Sequence, residues 1–236
     1  MTMVHYAIIL AGGKGERLRP HTDDKPKPMI PLAGRPAVDN QVLQLIKAGV
    51  KEIVFAVSYK REVLMKHFGD GGRWGIKISY SEEDEPLGRG GGIKKAMSFL
   101  PETWDNVYAT NGDNLWRVDF EKFQEVHRKN KAIVTMMVTK LKSPYGIVHI
   151  DDLDRIEGFV EKPLLPHWLN AGVYLFNREI YDLLPDKGDM EDSTFPELPK
   201  EKFLAFKSEG YWKGFDTIKD LNEAETKATE IFSDLV

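Results

Sequence analysis

The stretch "LAGGKGERLRPHTDDKPKPMIPL", residues 10–32, crowds three glycines and a cluster of cations into one short segment. Gly12, Gly13 and Gly15 allow backbone conformations closed to larger residues and let N–H groups approach an anion closely. Arg17 adds a planar fork of donors suited to phosphate oxygens, and Lys27 a compact positive charge. Lys14, Arg19 and Lys25 raise the local charge further, while Pro26, Pro28 and Pro31 stiffen the exit. Anion binding, of a phosphate chain above all, is the chemistry this pattern serves. The spacing differs from both common phosphate motifs: GxxxxGK[ST] is absent, and no GxGxxG with a downstream acidic residue appears. Nicotinamide binding is therefore poorly supported.

Other chemistries are excluded or left without residues. The chain has no cysteine, which rules out disulfides, Cys-ligated zinc and thiol catalysis, and none of its six histidines falls in a motif. A formal net charge of −4 gives no general attraction to nucleic acid or anionic membrane, so the basic site is local. No apolar run approaches the roughly 20 residues of a membrane span. The N-terminal "MTMVHYAIILAGG" fits a first buried strand better than a signal peptide. A cytoplasmic protein with no nucleic-acid or membrane partner is the expectation.

The elements that must position the loop alternate through the first half. "YAIILA" (6–11) reads as a buried strand, and Val38, Val42, Leu45 and Ile46 recur at helical spacing up to Gly49. "KEIVFAVS" (51–58), "IKISYS" (76–81) and "NVYATNGD" (106–113) read as strands, and "REVLMKHFG" (61–69) and "GGIKKAMSFL" (91–100) as helices. Alternation of this kind implies parallel βαβ units in an α/β fold with helices on both faces. In the second half "IVTMMVTKL" (133–141), "GIVHI" (146–150), "RIEGFVEK" (155–162) and "AGVYLFN" (171–177) follow with short breaks, which suggests added strands, some antiparallel. Ile218, Leu221, Ala224, Ala228 and Ile231 mark the apolar stripe of a last helix. With 236 residues and no linker, repeat or low-complexity tract, one domain is expected.

Taken whole, the opening loop resembles the signature of the sugar-1-phosphate nucleotidyltransferases, GGxGxRLxPxTxxxPKPMxP, at nearly every position. The resemblance implies a Rossmann-like, GT-A-like three-layer αβα fold with a mixed, mostly parallel sheet. It also implies a nucleoside triphosphate lying along this loop, with Leu10, Ala11, Gly12 and Gly13 beside the nucleoside, Lys14 and Gly15 in the same loop, and Arg17 and Lys27 on the phosphates. A nucleoside triphosphate brings Mg2+, which favours one or two carboxylates plus phosphates and water. Asp113 in "TNGDNL" is the natural first ligand, with Gly112 before it permitting close approach of substrate, and Asp216 in "GYWKGFDTIKDL" is the second. An aspartate before a helix is by itself more often an N-cap. Similar chains commonly read W-x-D-[IV]-G here, whereas three residues separate Trp212 from Asp216.

The same resemblance extends to "GFVEKP" (158–163) and "LNAGVYLF" (169–176). It implies that Glu161 and Asn170 bond sugar hydroxyls, Lys162 holds the sugar phosphate, and the Gly146 backbone lies near the sugar; Tyr145, Trp168 and Tyr174 are further candidates for lining that pocket. Glu83 and Glu85, ahead of Gly88, occupy the stretch where similar enzymes read the base. A carboxylate suits the adjacent donors of guanine and repels the O4 acceptor of uracil or thymine. "EPLG" also resembles the mannose-1-phosphate and heptose-1-phosphate guanylyltransferases. Arg89 stands where relatives commonly have threonine, which implies a different handling of phosphate or solvent. The implied reaction joins nucleoside triphosphate and sugar 1-phosphate into an NDP-sugar with loss of pyrophosphate, and the preferred pair is GTP with a mannose or heptose 1-phosphate. A uridylyl or thymidylyl enzyme for glucose, amino-sugar or muramate 1-phosphates stays open, as does a non-catalytic sugar-nucleotide-binding subunit. Many relatives append a C-terminal acyltransferase or β-helix domain; nothing follows the last helix here, so one catalytic domain over 1–236 is expected. Whether the chain forms a homo-oligomer is not readable.

Overall fold

A computed structural model describes residues 3–235. The strands β1 (Tyr6–Leu10), β4 (Glu52–Val57), β5 (Lys77–Glu82) and β6 (Asn106–Asn111) are parallel neighbours, separated in the chain by β2 (Pro31–Leu32), β3 (Arg35–Pro36), α1 (Ala37–Lys47), α2 (Arg61–Phe68) and α3 (Gly88–Met97). Then follow β7 (Asn114–Trp116), α4 (Phe120–Lys129), β8 (Val134–Lys142), the hairpin of β9 (Ile147–Ile150) and β10 (Ile156–Val160), and β11 (Leu164–Asn177). Short helices α5 (Ile180–Leu183) and α6 (Met190–Ser193), strands β12 (Phe203–Lys207) and β13 (Trp212–Gly214), and α7 (Ile218–Ile231) complete the chain. Seven strands form the central sheet in the order β12-β8-β11-β6-β1-β4-β5. Only β11 runs antiparallel to its neighbours, which makes the sheet mixed and mostly parallel.

The alternation within β1 and β4 divides the core. Ala7, Ile9, Ile53 and Phe55 pack on one face against α1 and α2, and Ile8, Val54 and Ala56 on the other against Ile93, Ala96 and Met97 of α3. A third cluster joins Leu18, Ile30 and Leu115 to Leu221, Ala224 and Ala228 of α7, so the last helix closes over the opening loop rather than over the sheet. Ile218, expected in that apolar stripe, is 46% exposed. The segment 171–177 is the buried end of the much longer β11, and the exposed half preceding it was not anticipated.

Strand order places the loop. From β1 the sheet grows outward through β4 and β5, and β6 then returns to pair with the other edge of β1. Such a reversal opens a crevice at the carboxyl ends of the strands. The glycine-rich segment leaves β1 there, between the ends of β4 and β6. Among the described residues no helix is long and apolar enough to cross a membrane.

Candidate active site

Gly15 sets the course of the loop. It lies at φ 63° ahead of a helical turn at Glu16–Leu18, and its carbonyl accepts the Thr22 hydroxyl at 3.0 Å. A Cβ there would stand about 3 Å from both Thr22 and Lys27 side chains, so position and conformation both require glycine. Leu18, 1% exposed, anchors the turn in the α7 cluster. A second helical turn, Lys27–Met29, directs Lys27 inward.

The Lys27 side chain is 6% exposed and its ammonium reaches two carboxylates at once, Asp113 Oδ2 at 2.8 Å and Asp216 Oδ1 at 2.7 Å. Arg17 Nη2 lies 3.2 Å from the same Asp216 oxygen. Phe215 is fully buried with its ring centroid 5.1 Å from the Lys27 nitrogen, so an aromatic face lies beneath the cation.

A short antiparallel pair explains how residues so distant in sequence meet. β13 pairs with β7 in the register Trp212↔Trp116 and Gly214↔Asn114, which puts Asp113 and the residues after Gly214 at one end of the ladder. Trp212 Nε1 donates to the Ala171 carbonyl at 2.8 Å and fixes the strand against β11. Buried Gln41 of α1 pins the other side: its amide donates to the Asn111 and Asn114 carbonyls at 2.9 and 2.7 Å, and it accepts the Thr110 hydroxyl at 2.7 Å. The loop carrying Asp113 is thus held at both ends. Gln41 was not foreseen, because nothing in a helical glutamine announces which carbonyls it meets.

Asp216 is not the cap of α7. That role belongs to Thr217, whose hydroxyl accepts the Asp220 N–H while the Asp220 carboxylate accepts the Thr217 N–H, a complete capping box. Among the described residues the Asp216 carboxylate therefore has Lys27 and Arg17 as its partners. The insertion between Trp212 and Asp216 leaves the aspartate beside Asp113.

A cleft of about 500 Å³ opens over these groups. Leu10, Ala11, Gly12, Gly13 and Gly15 line one side, with Arg17, Lys27, Asp113 and Asp216 at the charged end. Glu16, Pro28, Arg89 and Asn111 also line it. Asn111 ends β6, where strand-end position was the available signal. Asp113 and Asp216 offer hard oxygen donors converging on one cation, and a pair of carboxylates completed by phosphate oxygens is the donor set magnesium prefers. The residues fit a site for a divalent cation completed by phosphate oxygens.

Several expected residues lie elsewhere or are otherwise employed. Gly112 was read as room for substrate, but a Cβ there would come within 2.8 Å of the Leu10 carbonyl, which accepts the Gly112 N–H at 2.9 Å. Glycine is needed here for the approach of two backbones. Glu83 Oε2 accepts the Leu87 N–H at 3.1 Å and fastens the turn before α3, while Glu85 is exposed and 3.8 Å from Lys187. Gly88 opens α3, and Lys14 is exposed; none of these lines the cleft. Glu161 and Lys162 stand 3.6 Å apart at the end of the β10 hairpin. Gly146 lies under the Phe159 ring, where a Cβ would come within 2.4 Å. Asn170 donates to the Tyr174 hydroxyl at 2.7 Å and accepts the Gly172 N–H at 2.9 Å. Tyr174 is a core residue at 0% exposure, Tyr145 is exposed, and the Trp168 ring has the Lys140 and Lys207 ammonium groups 4.1 and 5.3 Å from its centroid.

A doubly wound sheet whose first loop pairs buried positive charge with two convergent aspartates defines a protein built to handle phosphate groups. The chain belongs to the nucleotidyl transferase family, whose model matches residues 6–231. It is 36% identical over 223 residues to a mannose-1-phosphate guanylyltransferase of Mycobacterium tuberculosis, covering 91% of this chain and 62% of that protein. A mannose-1-phosphate guanyltransferase of Yarrowia lipolytica is 38% identical over 223 residues, 90% of this chain and 61% of the relative. The chain thus spans less than two thirds of the length of these relatives. The crystal structure of HddC from Yersinia pseudotuberculosis complexed with GMP-PN superposes with a TM-score of 0.74 at 27% identity, covering 95% of this chain and 99% of the other.

Proposed function

We propose that the chain transfers a nucleotidyl group from a nucleoside triphosphate to a sugar 1-phosphate with release of pyrophosphate, and that GTP and mannose 1-phosphate are the preferred pair. The observation carrying this reading is the single ammonium of Lys27 shared by Asp113 and Asp216, with Arg17 alongside, at the mouth of a glycine-lined loop. The preference for GTP and mannose 1-phosphate is supported by the names of the relatives, not by Glu83, whose carboxylate is engaged by Leu87.

The sugar phosphate is already an anionic nucleophile, so no protein base is needed; its oxygen attacks the α-phosphorus in line as the bond to pyrophosphate breaks. In this reading the N–H groups of the Gly12–Gly15 loop cradle the phosphate chain, and Arg17 and Lys27 stabilise the charge that builds on the departing pyrophosphate. Asp113 and Asp216 would hold magnesium, which when bound withdraws charge from the phosphates. Lys162 orients the attacking phosphate, and Glu161, Asn170 and the Gly146 backbone hold the sugar.

The test is a panel of all four nucleoside triphosphates against mannose, heptose, glucose and amino-sugar 1-phosphates, with pyrophosphate release as readout. The expected result is turnover highest with GTP and mannose 1-phosphate and dependent on Mg2+. Absence of pyrophosphate with every pair would refute the reaction.

A further inference from the structure

The hairpin of β9 and β10 stands apart from the central sheet. Among the described residues its two strands pair only with each other, in a register that sets Val148 opposite Phe159 and Ile150 opposite Ile156. At the root, the Ser143 N–H donates to the Pro163 carbonyl at 2.9 Å. At the tip, one Asp151 oxygen accepts the Leu153 and Arg155 N–H groups, both at 2.9 Å, and the other accepts Arg155 Nε at 2.6 Å. The hairpin is thus fastened at both ends by its own residues.

Directly opposed residues of an antiparallel pair share a face, as do residues two apart on one strand. Val148, Ile150, Ile156 and Phe159 therefore form one apolar face, and none of them lines the cleft. Together with Leu153 at the tip and Leu164 at the root they are 40–70% exposed. Single exposed apolar side chains are ordinary, whereas their concentration on one two-stranded sheet marks an interaction surface. Two strands alone are marginal in water, so a partner on this face also supports the hairpin. Side chains of this size present on the order of 100 Å² each, and with the intervening backbone they approach the roughly 800 Å² per partner of a stable interface.

Charge selects the occupant. Arg155 is taken by Asp151, which leaves Asp152 and Asp154 exposed at the tip without an ion pair among the described residues. Beside the root the sign is opposite: Lys142 pairs with Leu164 across β8 and β11, and Lys140 and Lys207 stand against the Trp168 ring. All three lysines are exposed and likewise have no carboxylate partner among the described residues. A hairpin acidic at its tip and basic at its root complements itself when two copies stack antiparallel about a two-fold axis, because each tip then meets the other root. An unrelated partner would have to supply both patches at this spacing.

We propose that a second copy of the chain docks on this face, hairpin against hairpin in antiparallel orientation. The four apolar residues form the centre, and Asp152 and Asp154 of each copy lie against Lys140, Lys142 and Lys207 of the other. Burial of the apolar face supplies the affinity, while the charges, each pair of which adds little at an exposed rim, fix the orientation. The hairpin also carries Gly146 at its start and Glu161 and Lys162 at its end, and Phe159 covers Gly146. Docking therefore steadies the residues assigned to the sugar; that consequence rests on the proposed reaction, and the docking does not.

Sedimentation equilibrium of the full chain tests the docking without any substrate. The wild type is expected to be a dimer at micromolar concentration. The double variant Ile150→Asp, Ile156→Asp puts charge at the centre of the face and is expected to raise the dimer dissociation constant at least about tenfold, the scale of losing central interface contacts. Reversing the tip alone (Asp152→Lys, Asp154→Lys) or the root alone (Lys140→Glu, Lys207→Glu) should weaken association about threefold or more, and both reversals in one chain should restore most of it. These reversals sit on exposed side chains and serve equally if the aspartate variant folds poorly. A wild type that stays monomeric to about 100 μM, a dimer indifferent to the Ile150 and Ile156 changes, or a double reversal without rescue would overturn the inference. A monomer that instead sediments with phospholipid vesicles would assign the face to a membrane and overturn it equally. Pyrophosphate release is measured separately, so the reaction can stand when the docking fails.

Discussion

Replacing Lys27 with methionine removes one positive charge and keeps most of the side-chain volume. The ammonium holds Asp113 and Asp216 oxygens at 2.8 and 2.7 Å, so these oxygens lie within about 5.5 Å of each other, where unit charges repel by roughly 1 kcal/mol in a water-like medium and about 3 kcal/mol at the effective dielectric of a protein surface. The aspartate side chains are 41% and 49% exposed, which favours the lower figure. Each lost ion pair to so open a carboxylate adds at most about 1 kcal/mol. The methionine is spared the burial of a charge, which offsets part of the loss. A net destabilisation of about 1–2 kcal/mol follows, a fall in Tm of a few degrees for a chain of this size.

Turnover is expected to drop by at least about a hundredfold, or about 2.7 kcal/mol at the barrier, the scale of removing one preorganised donor from developing charge. The kinetic loss thus exceeds the stability loss, which separates a role in the chemistry from a structural one. Thermal unfolding with and without MgCl2 supplies an independent reading. The unneutralised carboxylates of Lys27→Met should gain more in Tm from magnesium than the wild type, in which the lysine competes for them. Turnover within about threefold of wild type would remove Lys27 from the mechanism, and a magnesium gain no larger than that of the wild type would refute the convergence of Asp113 and Asp216.

The adjacent pair Asp216 and Thr217 separates chemistry from capping: Asp216→Asn is expected to abolish Mg2+-dependent pyrophosphate release with little change in Tm, and Thr217→Ala to cost about 1 kcal/mol of stability while turnover is kept. Denaturant unfolding of the two variants beside the pyrophosphate assay checks both, and the reverse pattern would make Asp216 the cap. His127, packed between Thr135 Oγ1 at 2.8 Å and Asn106 Oδ1 at 3.1 Å, is pushed by burial from 6.5 down to about 4. Between those values the unfolded chain binds the proton and the folded chain does not, so stability is fully present above pH 6.5 and falls as the pH drops toward 4. Unfolding free energy at pH 5 should lie about 2 kcal/mol below that at pH 7, and His127→Gln should flatten that difference; an equal slope in the variant would place the titration elsewhere.

What could be read from the sequence follows the range of the interactions involved. The glycine loop was legible because its requirement is local: Gly15 must take φ 63°, and Lys27 packs against it twelve positions on. The strands β1, β4 and β6 were legible for the same reason, since each has a buried middle bounded by its own breakers, while the partly exposed β5 shows an alternating pattern. Missed elements draw their stability from distant partners. β7 and β13 are three residues each and exist as strands only by pairing with one another, although that pairing is what carries Asp113 to Asp216. α4 has its apolar positions spread among charged ones and finds its place through Phe123 in the core, while the amide of Gln41 acquires meaning only beside the Asn111 and Asn114 carbonyls.

At Gly112 and Glu83 the structure adds a partner that the sequence did not announce. Each residue type suited a ligand, and in each case the protein's own backbone claimed it first: Leu10 lies against Gly112, and the Leu87 N–H donates to Glu83. A glycine or a carboxylate at a strand end is equally suited to both partners, and only the approach of a second chain segment decides between them. Asp216 shows the same rule acting in favour of function. Thr217 and Asp220 complete the cap between themselves, so the aspartate that a helix start would ordinarily consume is left to share Lys27 with Asp113. A polar residue is available for chemistry when its neighbours have already satisfied the local backbone.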